Sequence, residues 1–286
     1  EITVREHSYH PISMEALETI LDTLPNKPLL AGEAEVRLSL AGAQNKLAIY
    51  HDKDGFALPL HESPSSHILK PEVKGFPGLV ENEATCMELA RKAGLPAATV
   101  EPVQVGPHRC LMVERYDRTR EGSGLRRLHQ EDFCQAMGIV SRYKYQNEGG
   151  PTLEQCFQLI RKASARPARD LVALFEAAIF NYLIGNNDAH GKNFSLIYRP
   201  ADDRIRVELA PLYDLVSTTA YPGLSPKMAM KIGSKYNPAD FRLRHWEAFW
   251  TVVGFSPKQA SRQTQNFLER VDQILLDTAP SEMGEK

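Results

Sequence analysis

The chain has 286 residues, of which 42% are hydrophobic and 24% charged, as in an ordinary globular protein. Lys plus Arg number 34 and Asp plus Glu number 36, and the resulting formal charge of −2 argues against a free-standing nucleic-acid binder. No apolar run approaches the roughly 20 residues of a membrane span, and no signal peptide is recognisable. We therefore expect a cytoplasmic protein with no membrane partner. Four widely spaced cysteines are expected to be reduced and mostly buried rather than zinc ligands: Cys86, Cys110, Cys134 and Cys156.

The first 117 residues are predicted to consist mostly of strands. Ser13 is a typical N-cap for a first helix. Short strand-like runs follow, and "DKDG" at 52–55 is typical of a hairpin turn. The segment "ENEATCMELARKAG" (81–94) is predicted to be one helix, ended by its glycine, before two more strands. This part of the chain is therefore expected to form a sheet with one main helix inserted.

After residue 117 the pattern changes to helices. "RTREGSGLRR" is expected to be a charged loop, and "QEDFCQAMGIV" (130–140), "TLEQCFQLIRKASA" and "ARDLVALFEAAIFNYLIG" are predicted helices. "NFSLIYRPADDRIRVELAP" is predicted to form a β-hairpin, and the C-terminal part is helical again. The second part of the chain is therefore expected to be a helical lobe.

The loop "GNNDAHGKN" (185–193) gathers polar side chains between an apolar helix and a strand. Asp188 and Asn193 have the spacing at which protein kinases place the Asp that accepts the acceptor hydroxyl's proton and the Asn that holds Mg²⁺. Lys192 is placed to neutralise charge on a transferred phosphoryl group, and His190 to contact a phosphate or order the loop. Because Asn, Asp and Gly are also turn residues, the loop alone is equally compatible with a polar turn.

A second acidic residue follows beyond the predicted hairpin. Asp214 in "YDLVS" lies 21 residues after Asn193. A kinase needs a carboxylate in this place, because the β- and γ-phosphates of ATP reach the protein through bridging Mg²⁺ ions, which prefer oxygen ligands. Alone, Asp214 would be explained as a turn or cap residue. Its position after the loop and the hairpin favours a metal ligand.

Three features of the strand-rich part suit a nucleotide. The small-residue turn Ala41–Ala43 lets backbone N–H groups approach phosphate oxygens, although it matches neither Walker A nor GxGxxG and a plain hairpin turn explains it more simply. Lys70 ends a strand and can pair with the α- and β-phosphates, with Glu83 as its partner; the alternative is a solvated lysine. Glu114 and Tyr116, at the junction of the two parts, can offer backbone groups to adenine.

The order of these features carries more weight than any one of them. The features follow one another in the order found in a protein kinase. That order is a small-residue loop, a strand lysine, a helix glutamate, a junction, an Asp-x₄-Asn loop, a hairpin and a second Asp. We therefore predict an α+β, bilobal protein-kinase-like fold. Its strand-rich N-terminal lobe is expected over residues 1–117 and its helical C-terminal lobe over residues 118–286.

Longer segments resemble the HipA kinases, the toxins of bacterial toxin–antitoxin pairs. The resemblance covers about Leu24 to Tyr236 and is carried by "SLAGAQNK", "HILK", "ENE", "ERYDR", "HQEDFCQAMG", "KYQNEGGP", "LIGNNDAHGKNFS" and "LAPLYDLVS", with "KMAMKIG" as a further segment. It implies an atypical serine/threonine protein kinase that uses ATP and Mg²⁺.

The resemblance also implies roles for single residues. Asp188 matches the catalytic base, and Asn193 and Asp214 match the Mg²⁺ ligands. Ser39 matches a loop serine that the family autophosphorylates; a phosphate there adds about −2 of charge beside ATP, which predicts loop ejection and inactivation. The nucleotide-binding set is Ala41, Gly42, Ala43, Gln44, Asn45, Lys46, Lys70, Glu83, Glu114, Arg115, Tyr116, His190, Gly191, Lys192, Asn193, Tyr213 and Asp214.

The resemblance finally implies partners. Family members phosphorylate aminoacyl-tRNA synthetases, typically the glutamyl enzyme, and are held by a HipB-like helix-turn-helix antitoxin, through which alone we expect contact with DNA. Only 38 residues precede Ser39, whereas the toxins usually carry a further N-terminal subdomain. This predicts either a truncated form or a separate chain that supplies the subdomain.

Two other functions remain open on sequence grounds. One is a kinase for a lipid or small molecule, because an Asp-x-His loop also occurs in phosphoinositide-type kinases; the lack of a membrane-binding segment argues against the lipid. The other is a catalytically silent partner or repressor subunit. The intact set of chemistry-bearing residues argues against silence: Lys70, Asp188, Asn193 and Asp214.

Overall fold

The structure, a computed structural model, describes residues 7–24, 45–122 and 124–278. Strands dominate the first part of the chain and helices the second, so the predicted α+β class is confirmed. Within the described residues, no helix combines the length and the apolar character needed to cross a bilayer. All four cysteines are buried and none forms a disulfide, as expected.

A six-stranded antiparallel sheet forms the N-terminal lobe. The strands of this sheet are β1 (Tyr9–Ile12), β2 (Leu47–Asp52), β3 (Gly55–Pro59), β4 (His67–Pro71), β5 (Val100–Val105) and β6 (His108–Glu114). The lobe also contains the helices α1 (Met14–Thr23) and α2 (Leu79–Lys92). The spatial order is β1-β3-β2-β4-β6-β5. As predicted, Ser13 caps α1 by accepting the Ala16 N–H at 3.2 Å.

The two faces of this sheet have different neighbours. In β6, Cys110 and Met112 join the core beneath α1, while Leu111 and Val113 join the main core with α2. This alternation follows the two-residue period of a strand. Lys70 pairs with Leu111 across β4 and β6. The sheet therefore presents Lys70 toward α2 and the second lobe.

Helices and two small sheets form the C-terminal lobe. They are β7 (Arg118–Glu121), β8 (Gly124–Arg127), β9 (His129–Asp132), α3 (Phe133–Ala136), α4 (Leu153–Ala163), α5 (Pro167–Leu183), β10 (Ser195–Ala201), β11 (Arg204–Leu209), α6 (Leu243–Val252) and α7 (Pro257–Thr278). The central helix α5 is buried over most of its length, with Leu174, Phe175 and Phe180 fully inaccessible. The predicted hairpin is present as β10–β11.

Two predictions for the start of this lobe were wrong. A loop was expected over 118–127, but Arg118–Glu121 pairs with Gly124–Arg127 as the antiparallel strands β7 and β8. Of the helix expected over 130–140, only the single turn α3 exists, because Gln130–Asp132 pair with β10 as strand β9. Gly138, at φ 68°, then ends the turn. Because these strands follow residue 117, the lobe boundary stays a prediction.

Candidate active site

Lys70 joins three elements at the cleft between the lobes. Its ammonium lies at the end of β4 and donates to Glu83 Oε1 on α2 at 2.7 Å. It also donates to Asp214 Oδ1, which belongs to the C-terminal lobe. The side chains of Lys70 and Glu83 are only 10% and 4% exposed. A buried cation between two carboxylates therefore connects the sheet, α2 and the predicted metal site.

The pKa values of the three groups reflect this arrangement. Burial alone would lower the pKa of Lys70, but the Asp214 and Glu83 carboxylates together raise it above its ordinary value. Burial opposes ionisation of Asp214, yet the Lys70 charge holds the Asp214 pKa below its ordinary value. For Glu83 burial prevails and its pKa is raised. At neutral pH the site thus contains a charged lysine beside a charged Asp214.

The backbone around Asp214 is held in an unusual conformation. Asp214 has φ 54°, a left-handed geometry that Asp tolerates better than most residues. The hydroxyl of the preceding residue, Tyr213, donates to the Lys192 carbonyl at 2.7 Å. The Ser195 hydroxyl lies 2.7 Å from the same Tyr213 oxygen and must be the donor in that bond, because Tyr213 has only one proton to donate. The Tyr116 ring stacks on Tyr213 at 6.0 Å. Tyr213 therefore anchors the Asp214 turn to the predicted catalytic loop.

The predicted catalytic loop begins where α5 ends. Gly185 has φ 67°, and a Cβ on it would lie 2.2 Å from Thr219 Oγ1, so glycine is required there. The Gly185 carbonyl accepts from the Thr218 amide at 3.1 Å and hydroxyl at 2.9 Å. The Thr218 hydroxyl in turn accepts from the Asn187 amide at 2.9 Å. These bonds dock the loop on the segment that follows Asp214.

Asp188, His190 and Asn193 lie together in this loop. The Asp188 carboxylate accepts from the Tyr145 hydroxyl at 2.5 Å. Asn193 Oδ1 accepts the His190 backbone N–H at 3.1 Å, and the Asn193 N–H donates back to the His190 carbonyl at 2.9 Å. The Asp-x₄-Asn segment is therefore an ordered, internally bonded turn and not a solvated one.

The His190 imidazole is 2% exposed, and neither ring nitrogen has a hydrogen-bond partner among the described residues. Burial and the nearby Lys144 and Lys192 charges lower the pKa of His190 to about 3. The imidazole is therefore neutral at neutral pH. A buried ring with unsatisfied nitrogens beside the site agrees with contact to a bound phosphate or water.

Lys144 and Lys192 add positive charge around Asp188. Lys144 interacts electrostatically with Asp188, Lys192 and Asp214, and burial lowers its pKa. The Lys144 ammonium therefore lies near both predicted acidic groups. The Gly191 backbone N–H donates to the Lys144 carbonyl at 3.3 Å.

The predicted adenine junction is partly occupied by internal bonds. The amide of Glu114 donates to the Thr99 carbonyl, and that of Arg115 to Ser66, both at 2.9 Å. The Arg115 guanidinium is held by both oxygens of Asp117 at 2.7 and 3.0 Å, so it does not face a nucleotide phosphate. The Tyr116 amide donates to no described backbone carbonyl, which leaves it as the available donor of this stretch.

The predicted phosphate-binding loop is only partly visible. Ala41, Gly42, Ala43 and Gln44, together with Ser39, lie outside the described residues, so their roles stay predictions. Asn45 and Lys46 immediately precede β2. The Lys46 charge makes a minor contribution to the pKa of both Glu83 and Asp214, in the direction that favours their charged forms. Lys46 thus lies on the side of the cleft where phosphates would be held.

The donors of the cleft suit Mg²⁺. Asp214 offers a carboxylate and Asn193 an amide oxygen, and no cluster of three or more His, Cys, Asp or Glu residues exists among the described residues. Mg²⁺ is typically held by one or two protein oxygens together with water and substrate phosphates, not by an all-protein cage. Asn193 and Asp214 therefore fit a Mg²⁺ ion that arrives with a nucleotide.

Sequence reasoning missed Asn82, which ties α2 to the Asp214 segment. Its Oδ1 accepts the Ser217 N–H at 2.8 Å, and its Nδ2 donates to the Ser217 carbonyl at 3.0 Å. Asn82 adjoins Glu83, and Ser217 is three residues beyond Asp214. The two partners are 135 residues apart in the chain, so no local pattern predicts the pair.

Asn82→Leu is expected to lower the free energy of unfolding by about 1–3 kcal/mol, because both backbone groups of Ser217 lose a partner. Nucleotide affinity should fall as well, since the Asp214 segment loses its attachment to α2. Denaturant unfolding and a fluorescent-nucleotide titration measure the two effects. Asn82→Asp keeps the acceptor for the Ser217 N–H and should lie between Leu and wild type. Wild-type stability in the Leu variant would contradict this assignment.

The fold and the site together define the class of kinase-like domains. The fold is α+β with two lobes, and the site combines a buried lysine–glutamate pair between a sheet and a helix with an Asp-x₄-Asn loop and a following Asp. The HipA-like C-terminal domain model matches residues 38–275, and the chain belongs to this family. The predicted kinase-like fold and the resemblance to HipA kinases are thereby confirmed.

Individual relatives agree with this assignment. Y4mE of Sinorhizobium fredii, by its name a candidate kinase, is 47% identical over 274 residues, which cover 94% of this chain and 64% of Y4mE. The serine/threonine-protein kinase toxin HipA of Shewanella oneidensis is 30% identical over 286 residues. This match covers 95% of this chain and 64% of that HipA. The chain thus spans less than two thirds of the length of these relatives.

A solved structure has the same fold. It is the Shewanella oneidensis complex of HipA, HipB and operator DNA, which matches with a TM-score of 0.81 and 27% identity. The match covers 98% of this chain and 68% of that one. Nearly the whole chain therefore follows the fold of a HipA kinase.

Proposed function

We propose that the chain is an ATP- and Mg²⁺-dependent serine/threonine protein kinase and acts as the toxin of a HipBA-like toxin–antitoxin pair. The observation that carries the proposal is the Lys70 ammonium held between Glu83 and Asp214. Protein kinases need a strand lysine, its helix glutamate and a metal-binding Asp in one place for phosphoryl transfer. Lys144, whose pKa responds to the charges of both Asp188 and Asp214, supports a place for Asp188 in the same cleft.

Each group has a task in the transfer. Lys70 and Lys46 bind the phosphates, and Asn193 and Asp214 would hold a Mg²⁺ ion. That ion would supply positive charge to offset the charge of the phosphates. The oxygen of the acceptor hydroxyl forms a bond to the γ-phosphorus of ATP while Asp188 accepts the proton of that hydroxyl. The bond between the γ-phosphorus and the β,γ-bridging oxygen breaks at the same time, and ADP is released. Lys192 stabilises the charge on the transferred group.

A protein acceptor in this proposal is supported by the serine/threonine-protein kinase among the relatives. A small hollow beside Asp188 is open to solvent. Its lining residues are Tyr145, Asn187, Asp188, Thr218, Leu224, Ser225 and Lys227.

The partners in the proposal follow the relatives. A relative's structure contains HipA with HipB and operator DNA, which supports a HipB-like antitoxin for this chain. An aminoacyl-tRNA synthetase is proposed as the substrate from the family resemblance. The experiment is phosphopeptide mass spectrometry of a bacterial extract treated with the chain and Mg-ATP. Phosphoserine or phosphothreonine on a synthetase supports the substrate, and its absence from every synthetase contradicts it.

Autophosphorylation at Ser39 is expected in the same assay. A phosphate there adds negative charge next to the ATP phosphates and should switch the enzyme off. We expect the wild-type chain to lose activity during incubation with Mg-ATP as phospho-Ser39 accumulates, and Ser39→Ala to stay active several times longer. Equal rates of inactivation in the two proteins would contradict this regulation.

A further inference from the structure

The segment Lys144–Pro151, "KYQNEGGP", packs directly on the catalytic loop, and we call it the brace. The Lys144 carbonyl accepts the Gly191 N–H at 3.3 Å. A Cβ on Gly191 would lie 2.3 Å from Pro151 Cγ, and one on Gly150 would lie 2.6 Å from the backbone of Lys144. Gly191 therefore permits the close approach between the brace and the loop, and Gly150 permits the brace to fold closely on itself.

The other side of the brace is attached to the body of the lobe. The backbone N–H of Gln146 donates to the Ala229 carbonyl at 3.1 Å. The side-chain Oε1 of Gln146 accepts the Lys231 N–H at 2.8 Å. These partners belong to "KMAMKIG", the second segment whose role the sequence did not explain. Met228, Ala229 and Met230 are buried. The brace thus connects the catalytic loop to a fixed part of the core.

One side chain of the brace reaches the proposed base itself. Tyr145 is 4% exposed, and its hydroxyl donates to Asp188 Oδ1 at 2.5 Å. Its ring meets the His190 ring edge-on, with centroids 5.2 Å apart. The Lys144 ammonium lies over the face of the same ring, 5.2 Å from its centroid. These two contacts and the burial of the side chain leave the phenol little freedom to move.

We propose that Tyr145 is a positioning residue for Asp188. This inference rests on the proposed kinase function and adds the group that aims its base. A general base must lie within hydrogen-bond reach of the proton that it removes, so a rotating carboxylate loses efficiency. The Tyr145 hydroxyl fixes one carboxylate oxygen and thereby the direction of the other. A neutral phenol does this without forming an ion pair that would quench the base.

The test is Tyr145→Phe, which removes only the hydroxyl and keeps the ring between His190 and Lys144. We expect kcat to fall about 10- to 100-fold, a part of the 10²–10⁴-fold that a general base contributes. The KM for ATP, the Kd of a fluorescent ATP analogue and the melting temperature should stay near their wild-type values. Tyr143→Phe is the matched control, because Tyr143 is 39% exposed, and it should behave like wild type.

The outcomes separate three possibilities. A fall in kcat with unchanged nucleotide affinity and melting temperature supports positioning. A parallel loss of affinity and melting temperature would show that Tyr145 is a packing residue and would overturn the inference, as would wild-type kcat in the variant. An inactive wild-type chain that binds no ATP would instead refute the kinase proposal on which the inference rests.

Discussion

Asp188→Asn is expected to reduce phosphotransfer by about 10²–10⁴-fold, because the acceptor hydroxyl loses its general base. An amide has nearly the shape of the carboxylate and can still accept from the Tyr145 hydroxyl, so the loop should stay folded. ATP binding should persist, since Lys70, Asn193 and Asp214 are unchanged. The measurement is transfer of radiolabelled γ-phosphate to protein, together with a nucleotide-binding titration.

The control for this variant is Asp203→Asn, which makes the same chemical change on an exposed turn between β10 and β11. It should leave transfer and binding at wild-type values. Undiminished transfer by Asp188→Asn would contradict the role of the base. Loss of ATP binding in that variant would instead mean that Asp188 takes part in holding the nucleotide.

Lys70→Met is expected to abolish ATP binding and to destabilise the apo protein. The change leaves Glu83 and Asp214 without their cation in a largely buried place, where their side chains are 4% and 22% exposed. Removing one partner from a buried ion pair costs about 3–5 kcal/mol. Denaturant unfolding at neutral pH measures the loss. Lys162→Met, on the exposed last turn of α4, is the control and should change little.

The destabilisation should depend on pH in a defined direction. Folding lowers the pKa of Asp214 below 3.8, so its pairing with Lys70 stabilises the protein above that pH and is lost as the pH falls through the lower, folded value. Folding raises the pKa of Lys70, so its contribution is complete below pH 10.5. In the Met variant, protonation of Glu83, whose pKa is already raised, removes an unpaired charge. The difference between variant and wild type should therefore shrink as the pH falls through the acid range in which Glu83 gains its proton, and a constant difference would contradict the electrostatic explanation.

The sequence predicted the features that local patterns encode. The segment 81–94 was predicted to be a helix ended by Gly94, and the structure has α2 over Leu79–Lys92. The order of lysine, glutamate, Asp-x₄-Asn loop and second Asp predicted the kinase-like fold, because each element's place in that fold is tied to its place in the chain. The assignments of Lys70, Asp188, Asn193 and Asp214 to nucleotide, base and metal stay predictions for the experiments above.

Long-range contacts were beyond the sequence. Helical spacing suggested a helix at 130–140, but pairing with β10 drew residues 130–132 into a strand. Tyr145 and Asp188 are 43 residues apart, and their bond follows from how the brace folds and not from any local pattern. The same holds for Asn82 and Ser217. Periodicity and motif spacing describe single elements, whereas these contacts depend on how the elements pack.

We propose that Lys70, Asp188, Asn193 and Asp214 form one Mg-ATP phosphotransfer site. The decisive test is a crystal structure of the chain with Mg²⁺ and a non-hydrolysable ATP analogue. We expect Lys70 to move from Asp214 to the α- and β-phosphates while it keeps its bond to Glu83. Mg²⁺ should lie between Asn193 and Asp214 at about 2.0–2.1 Å from their oxygens, with the γ-phosphate facing Asp188. A nucleotide bound elsewhere, or a metal that touches neither Asn193 nor Asp214, would contradict the account.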